Sequence, residues 1–139
     1  TIAKAEKGFE VAAREDTNGT FDSALEAAKK ILNEQPDITA ITCGNDQMAV
    51  AAKTALNLAG NDQTVVYSID GSPDIKKELK KADGQIAGTV AQSPVNIGKK
   101  AVDIALDILE GKDFEKETSV DVFMINKENV EMYGADGWQ

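Results

Sequence analysis

Three uncharged runs rich in β-branched residues alternate with helix-forming segments through the middle of this chain. The runs span residues 38–43, 64–69 and 85–91, and apolar residues at helical spacing follow each of them. A run with no charge on either face is typical of a strand that is covered on both sides. Strands that alternate with helices through short connections form a parallel sheet with right-handed crossovers. We therefore predict the α/β class, with a doubly wound, mainly parallel sheet and helices on both faces.

Weaker patterns predict the elements around these three strands. The residues after Thr1 are typical of the last turns of a helix, without an initiator methionine or a signal-peptide apolar core, so we expect a fragment or a processed chain. The other predicted elements are a strand at 9–14, a helix from about residue 22 that ends before Pro36, the longest amphipathic helix at 94–110, a strand at 120–125 and a short helix at 127–133.

The charge balance and the missing residue types narrow the function. The 139 residues include 15 basic and 24 acidic side chains, and the resulting net charge of −9 repels nucleic acid. Histidine is absent, which excludes imidazole catalysis and histidine metal sites. Cys43 is the only cysteine, so no internal disulfide can form, and its place in an apolar run predicts a buried thiol. No glycine-rich phosphate loop occurs, so we predict no cofactor.

A polar residue follows each of the three uncharged strands, at the edge where open parallel sheets bind ligands. These residues are Asn45, Asp70 and Gln92, spaced by one strand–helix unit each. Amide groups donate and accept hydrogen bonds and a carboxylate accepts them, which matches the neighbouring hydroxyl groups of a sugar or polyol. Phe21, in the loop after the first predicted strand, offers an apolar face on which a sugar ring can stack. We therefore predict a sugar site formed by these four residues.

The polar positions also have a purely structural interpretation. Asn and Asp between a strand and a helix are expected as N-caps or turn formers, and for Asp46, immediately before a helix, we expect capping. Gln is a poor N-cap, so Gln92 is the least explained by capping, and the Ser93–Pro94 break after it can serve as a hinge. Capping and ligand contact remain alternatives for Asn45 and Asp70.

Enzymatic and metal-binding interpretations fit the sequence less well. A phospho-acceptor receiver domain needs an acidic pair after its first strand and a lysine where this chain has Gln92. A glycosidase needs two carboxylates in contrasting environments, and nothing in the sequence sets Asp46 and Asp70 apart in this way. The calcium-loop pattern that begins at Asp16 lacks its closing glutamate, so no metal site is predicted. We expect a binding protein and not an enzyme.

Three motifs in this chain resemble those of the type I periplasmic sugar-binding proteins, the ribose, galactose and allose group of ABC transporter receptors. They are PDITAITCGNDQMA at 36–49, SIDGSP at 68–73 and AGTVAQSPVNIG at 87–98, in the same order as in the family. The resemblance is close over about residues 20–111. It implies that the chain has the periplasmic-binding-protein type I fold.

The resemblance also implies roles for the selected residues. Phe21 matches the ring-stacking aromatic residue of the family's second lobe, and the three polar residues match its sugar-hydroxyl hydrogen-bonders. Family members bind a sugar between two hinged lobes, and this chain matches only the second. We therefore expect residues 1–93 to be the C-terminal sugar-binding lobe, 94–121 a hinge crossover and helix that returns to the other lobe, and 122–139 the final strand and tail.

Partners and location follow from the same resemblance. It implies a small-molecule sugar as the ligand and an ABC transporter membrane permease as the partner of the closed form, with a complete protein that is monomeric. It implies a periplasmic or extracellular location, with a lipid anchor on the outer face of the cell membrane as one means of attachment. The alternative is the effector-binding core of a lactose-repressor-like transcription regulator, which shares the fold, and the hinge motif at 90–94 favours the transport receptor.

Overall fold

Helices and strands alternate in the order that the sequence predicts. The computed structural model describes residues 8–82 and 84–138, and the helix predicted for the opening residues lies outside this part of the chain. In chain order the elements are α1 (Phe21–Glu34), β1 (Ala40–Thr42), α2 (Asp46–Ala59), β2 (Val65–Asp70), α3 (Pro73–Leu79), β3 (Ile86–Ala91), α4 (Pro94–Leu109), β4 (Phe123–Asn126) and a 3-10 turn (Val130–Tyr133).

The four strands form one sheet in the order β1-β2-β3-β4. β1, β2 and β3 pair in parallel, and β4 pairs antiparallel with β3. Asp70 at the end of β2 lies opposite Ala91 at the end of β3, so the two strands end at the same edge. The prediction of an α/β fold with a mainly parallel sheet is confirmed.

Capping residues determine where the two central helices begin and end. The Asn45 side chain accepts a hydrogen bond from the backbone N–H of Met48 at the start of α2, and Gly60 ends that helix in the left-handed conformation. Ser72 caps α3 in the same way through the N–H of Ile75. The expectation that Asp46 caps α2 is wrong, because Asn45 occupies the cap and Asp46 is the first helical residue.

The apolar core lies between the sheet and the helices α2 and α3. Leu56 of α2 and Ile75 and Leu79 of α3 are buried together with strand residues such as Val66 and Ile125. Burial of such side chains contributes about 1.5–3 kcal/mol each relative to exposure. Cys43 belongs to the same core, which confirms the prediction of a buried thiol, and burial raises the pKa of this thiol to about 11.

The strand predicted at residues 9–14 does not form. A slot of about 900 Å³ separates residues 8–15 from the edge of β1 that β2 does not use, and Ala28 and Ile31 of α1 also line this slot. A strand needs a neighbour at about 4.8 Å to complete its backbone hydrogen bonds. Residues 9–14 have no such neighbour within the described parts of the chain, and β1 itself is only three residues long.

The helix α4 departs from the packing of the other helices. It has nearly the predicted bounds, but none of its 16 residues is buried, and its exposed apolar residues include Val95, Val102, Leu106 and Leu109.

Between residues 8 and 138, with residue 83 left aside, the structure contains no helix with the length and apolar character that crossing a membrane requires.

A buried lysine attaches the C-terminal segment to α3. Lys76 is 0% exposed, and its ammonium group donates to the carbonyl oxygens of Tyr133 (3.4 Å) and Gly137 (2.5 Å). Burial lowers the pKa of Lys76, and the nearby carboxylates of Asp136 and Asp46 oppose that change.

The last two predicted elements differ from the observed ones. The predicted helix at 127–133 is a single 3-10 turn over Val130–Tyr133, and the last strand begins three residues later than predicted.

Two leucines of α2 provide a matched test of the core. Leu56 is 0% exposed and Leu58 is 70% exposed. We expect Leu56→Ala to lower the free energy of unfolding by about 2–5 kcal/mol, because it leaves a cavity in packed surroundings. Leu58→Ala should change this free energy by no more than about 0.5 kcal/mol. Urea denaturation followed by circular dichroism measures both, and equal effects would contradict the described orientation of α2.

Candidate functional site

Asn45, Asp70 and Gln92 lie at one edge of the sheet. Each follows or ends a parallel strand, so the three loops that carry them start side by side. The Gln92 side-chain amide donates to the Asp70 carboxylate at 2.9 Å, and the Gln92 backbone N–H donates to the Asp70 carbonyl at 3.1 Å. The backbone N–H of Asp46, next to Asn45, lies near the Asp70 carboxylate and acts to lower its pKa. The edge therefore presents a carboxylate in direct contact with an amide, with a second amide beside them.

Asn45 combines the capping role with a position at this edge. Its Oδ1 accepts from the N–H of Met48 at 2.8 Å, and its Nδ2 donates to the carbonyl oxygen of Gly19 at 3.0 Å. A side-chain amide has two donor hydrogens and a carbonyl with two lone pairs, so one donor and one acceptor position remain for a ligand. The contact with Gly19 also brings the start of α1 to the same edge. Phe21 is half-buried and is the first residue of this helix, so its predicted place in a loop after a strand is wrong.

A cleft of about 580 Å³ opens beside Asn45. It lies between the loop at 14–19 and the start of α2, and Gly44 and Met48 complete its lining. The buried Thr17 hydroxyl at this cleft has no hydrogen-bond partner among the described residues. Asp70 and Gln92 do not line the cleft, so the cleft covers only the Asn45 side of the predicted site.

The backbone at Asp70 and Gly71 adopts an unusual conformation. Asp70 has φ +127° and Gly71 has φ +76°. Positive φ in a residue with a side chain costs about 1–3 kcal/mol and persists only where the surrounding structure holds it. A Cβ atom at Gly71 would lie 2.5 Å from the Cβ of Ala91, so only glycine fits where this turn approaches β3.

Asp46 has a role at this edge that the sequence analysis missed. Its carboxylate is buried, with Oδ1 accepting from the hydroxyls of Ser68 (2.5 Å) and Thr89 (2.7 Å) and Oδ2 accepting from the backbone N–H of Ser72 (2.6 Å). The Thr89 hydroxyl in turn accepts from the N–H of Gly71 at 3.1 Å. The Ser68 and Thr89 hydroxyls lie inside strands that are otherwise mostly apolar. These two residues are the feature of the sequence that could have indicated a buried hydrogen-bond partner such as Asp46.

Among the four proposed ligand residues, Asp70 carries the titratable side chain, and its pKa is raised above the ordinary value of 3.8. Burial, and then the nearby Asp46 carboxylate, raise the pKa of Asp70, while the Gln92 amide and the Asp46 backbone N–H oppose the change. Within the described residues no group of three or more His, Cys, Asp and Glu side chains could hold a metal ion. The arrangement can therefore exchange hydrogen bonds with a polar ligand through one carboxylate and two amides.

Ser93 and Pro94 lie where the chain leaves the sheet. Ser93 is buried and caps α4 by accepting from the N–H of Asn96 at 3.3 Å, and Pro94 is the first, exposed residue of that helix. The two residues therefore join the edge that carries Gln92 to a helix that has no buried residue.

The raised pKa of Asp70 predicts a pH-dependent gain from Asp70→Asn. The folded state disfavours the ionised carboxylate, so wild-type Asp70 costs stability above its folded pKa, and this cost disappears as pH falls towards the ordinary value of 3.8. Asn and Asp adopt positive φ about equally readily, so the substitution adds no backbone strain. We expect Asp70→Asn to raise the melting temperature at pH 7 and to raise it less near pH 4. Scanning calorimetry at both pH values measures this, and a lower melting temperature at pH 7 would contradict it.

The comparisons with known proteins agree with this architecture. Residues 1–113 match the family model described as periplasmic binding protein domain. The ribose import binding protein RbsB of Salmonella typhimurium is 34% identical over 126 residues, which are 91% of this chain and 42% of that protein. The chain thus spans about two-fifths of the length of this curated relative.

Solved structures show the same fold. An ABC transporter periplasmic solute binding protein from Actinobacillus succinogenes with bound D-allose is similar with a TM-score of 0.84 and 26% identity, over 94% of this chain and 46% of that one. A solute binding protein from Bacillus halodurans with bound myo-inositol is similar with a TM-score of 0.84 and 28% identity, over 96% and 46% of the two chains. The chain therefore belongs to the periplasmic binding protein family, in its type I sugar-binding group, and has the type I fold.

Proposed function

We propose that this chain is the C-terminal lobe of the solute-binding receptor of an ABC-type sugar import system, and that it binds a monosaccharide or a similar polyol. The contact between the Asp70 carboxylate and the Gln92 amide carries this proposal, because it places an acceptor and a donor at the spacing of adjacent hydroxyl groups. Asn45 adds a second amide and Phe21 the apolar ring face. The ribose import binding protein and the two solved structures with bound D-allose and myo-inositol, all similar to this chain, support the ligand class.

The charges at the site favour an uncharged ligand. Asp70 is the only charged group among the proposed ligand residues, the cleft beside Asn45 is lined by Arg14 together with Glu15 and Asp16, and the chain as a whole has a net charge of −9. A sugar phosphate or a sugar acid would meet repulsion from Asp70 and from the nearby carboxylate of Asp46. We therefore propose a neutral sugar or cyclitol, and we expect its anionic derivatives to bind much more weakly.

The proposed receptor closes around its ligand as two lobes. In this proposal residues 1–93 form the sugar-binding lobe, 94–121 form a crossover that packs on a second lobe, and 122–139 return to the first. The exposed apolar residues of α4 and the pairing of β4 with β3 support this division. Ser93 and Pro94 would form the hinge, and ligand binding would favour the closed state.

The partner and the location complete the proposal. The closed, monomeric receptor would be recognised by the membrane permease, outside the cell membrane, in the periplasm or attached to the outer face by a lipid anchor. The names of relatives as periplasmic and import binding proteins support this location. The receptor would deliver the sugar unchanged, which agrees with the binding function of these relatives.

Titration of the full-length protein that contains these residues tests the ligand class. We expect heat of binding and a higher melting temperature with at least one of ribose, allose, galactose and myo-inositol, because a ligand that binds only the folded state stabilises it. Ribose 5-phosphate and glucuronate should give neither signal. Failure of every neutral sugar in the panel would contradict the proposal.

Two aspartate variants test the site. Asp70→Ala should weaken binding of the sugar identified in the panel by about 1.5–3 kcal/mol, because the ligand hydroxyls lose a charged acceptor. Asp74→Ala is the matched control, since that side chain lies four residues away and is 83% exposed. Calorimetric titration measures both, and an unchanged affinity in Asp70→Ala would remove Asp70 from the site.

A further inference from the structure

We infer that Asp46 is the positioning residue of the proposed sugar site, holding the Asp70–Ser72 turn in the conformation that aligns the Asp70 carboxylate with Gln92. This inference rests on the proposed function. In this role Asp46 touches no ligand and acts through the backbone and side chain of Asp70. Three observations carry it, namely the connections of Asp46, the chemistry of its partners and the conformation of the turn.

The connections of Asp46 converge on the site from three elements. Asp46 is the first residue of α2 and is 3% exposed. Its carboxylate reaches Ser68 on β2, Thr89 on β3 and the backbone N–H of Ser72 after β2, all within 2.7 Å. Its own backbone N–H lies near the Asp70 carboxylate and opposes the rise in the pKa of that group. A single residue thus holds the turn at Ser72, after Gly71, and through the Ser68 hydroxyl also holds β2, two residues before Asp70.

The partners of Asp46 require a group that only accepts hydrogen bonds. Oδ2 faces a backbone N–H, and Oδ1 faces two hydroxyls, one of which already accepts from the N–H of Gly71. A side-chain amide has one acceptor oxygen and one donor nitrogen. If its oxygen faces the hydroxyls, its NH₂ opposes the N–H of Ser72, and if it is flipped, the Thr89 hydroxyl loses its acceptor. Asparagine therefore cannot satisfy both sides of this cluster, although it has nearly the same shape.

The conformation of the turn needs such an anchor. Two successive residues, Asp70 and Gly71, have positive φ, and the N–H groups of Gly71 and Ser72 are held by Thr89 and by Asp46 itself. Strain of this kind persists only when surrounding contacts outweigh it. Without the acceptor at position 46 the turn can relax, and the alignment of Asp70 with Gln92 relaxes with it. A ligand must then restore this geometry from its own binding energy, which lowers its affinity.

Asp46→Asn in the full-length protein, titrated calorimetrically with the neutral-sugar panel well below its melting temperature, tests this role. We expect the dissociation constant to rise about tenfold or more, which corresponds to about 1.4 kcal/mol. Asp74→Asn makes the same chemical change at an exposed position of α3 and should leave the dissociation constant unchanged. Leu32→Ala, in the core at the far end of α1, should lower the melting temperature and leave the dissociation constant unchanged, which separates positioning from stability.

A second pair of variants keeps the test valid if Asp46→Asn fails to fold. Thr89→Ser retains the hydroxyl between Gly71 and Asp46 and should bind sugar as the wild type does. Thr89→Val has a similar shape without that hydroxyl and should lose affinity in the same direction as Asp46→Asn. Equal affinities in Thr89→Ser and Thr89→Val, or a wild-type affinity in Asp46→Asn, would overturn the inference.

Amide hydrogen exchange distinguishes this inference from the proposed function. In the absence of sugar, we expect the N–H groups of Gly71 and Ser72 to exchange faster in Asp46→Asn than in the wild type, and at the wild-type rate in Asp74→Asn. If the wild type binds no sugar of the panel, the proposed function fails, while faster exchange in Asp46→Asn still supports the anchor. Unchanged exchange at both N–H groups overturns the anchor whatever the sugar result.

Discussion

Hydrogen bonds join β1, β2 and β3 in a parallel ladder, and most of the remaining structure follows from that pairing. Parallel neighbours cannot be connected by a tight turn, so each strand needs a helix to return to the start of the next. The helices α2 and α3 fill this role and supply the core side chains on the sheet. The same constraint places the ends of all three strands at one edge. A set of polar residues that are far apart in the sequence thereby becomes a set of neighbours.

The edge also shows how the proposed binding site can oppose the stability of the fold that carries it. Asp70 has a half-buried carboxylate close to a second carboxylate, and its backbone φ is positive. Each of these features is unfavourable for the folded chain, and each keeps a hydrogen-bond acceptor available at the edge of the sheet. The buried cluster around Asp46 offsets the cost, because its donors are all satisfied. Strain of this kind at a rim is typical of a site that is preorganised for a ligand.

Much of the fold could be predicted because the strands are uncharged runs of apolar and β-branched residues, a pattern that is visible in a few residues. The bounds of β2, β3 and α4 were therefore predicted within one residue. The expectation that these strands are covered on both sides is wrong for β2 in the described structure, where Tyr67 and Ile69 on one face are exposed. The prediction of a strand at 9–14 was wrong, because a strand needs a pairing partner and a local sequence pattern does not show whether one is present. The capping role assigned to Asp46 was wrong for a related reason. Its partners Ser68 and Thr89 are 22 and 43 residues away, and the positive φ of Asp70 depends on them.

The attachment of Lys76 to the carbonyl groups of Tyr133 and Gly137 has a consequence for the evolution of the chain. A buried ammonium group that is not hydrated needs hydrogen-bond acceptors from the protein. Here the backbone carbonyl oxygens of residues 133 and 137 supply them, and a carbonyl oxygen is present whatever the side chain. The contact with Lys76 therefore places no demand on the side chain at 137, whereas the Tyr133 ring also stacks on Phe123 with the ring centroids 5.0 Å apart. At Gly137, where a Cβ atom would meet nothing within 4 Å, a side chain can be accommodated, whereas an insertion or deletion between the two carbonyl groups would displace them from the ammonium group.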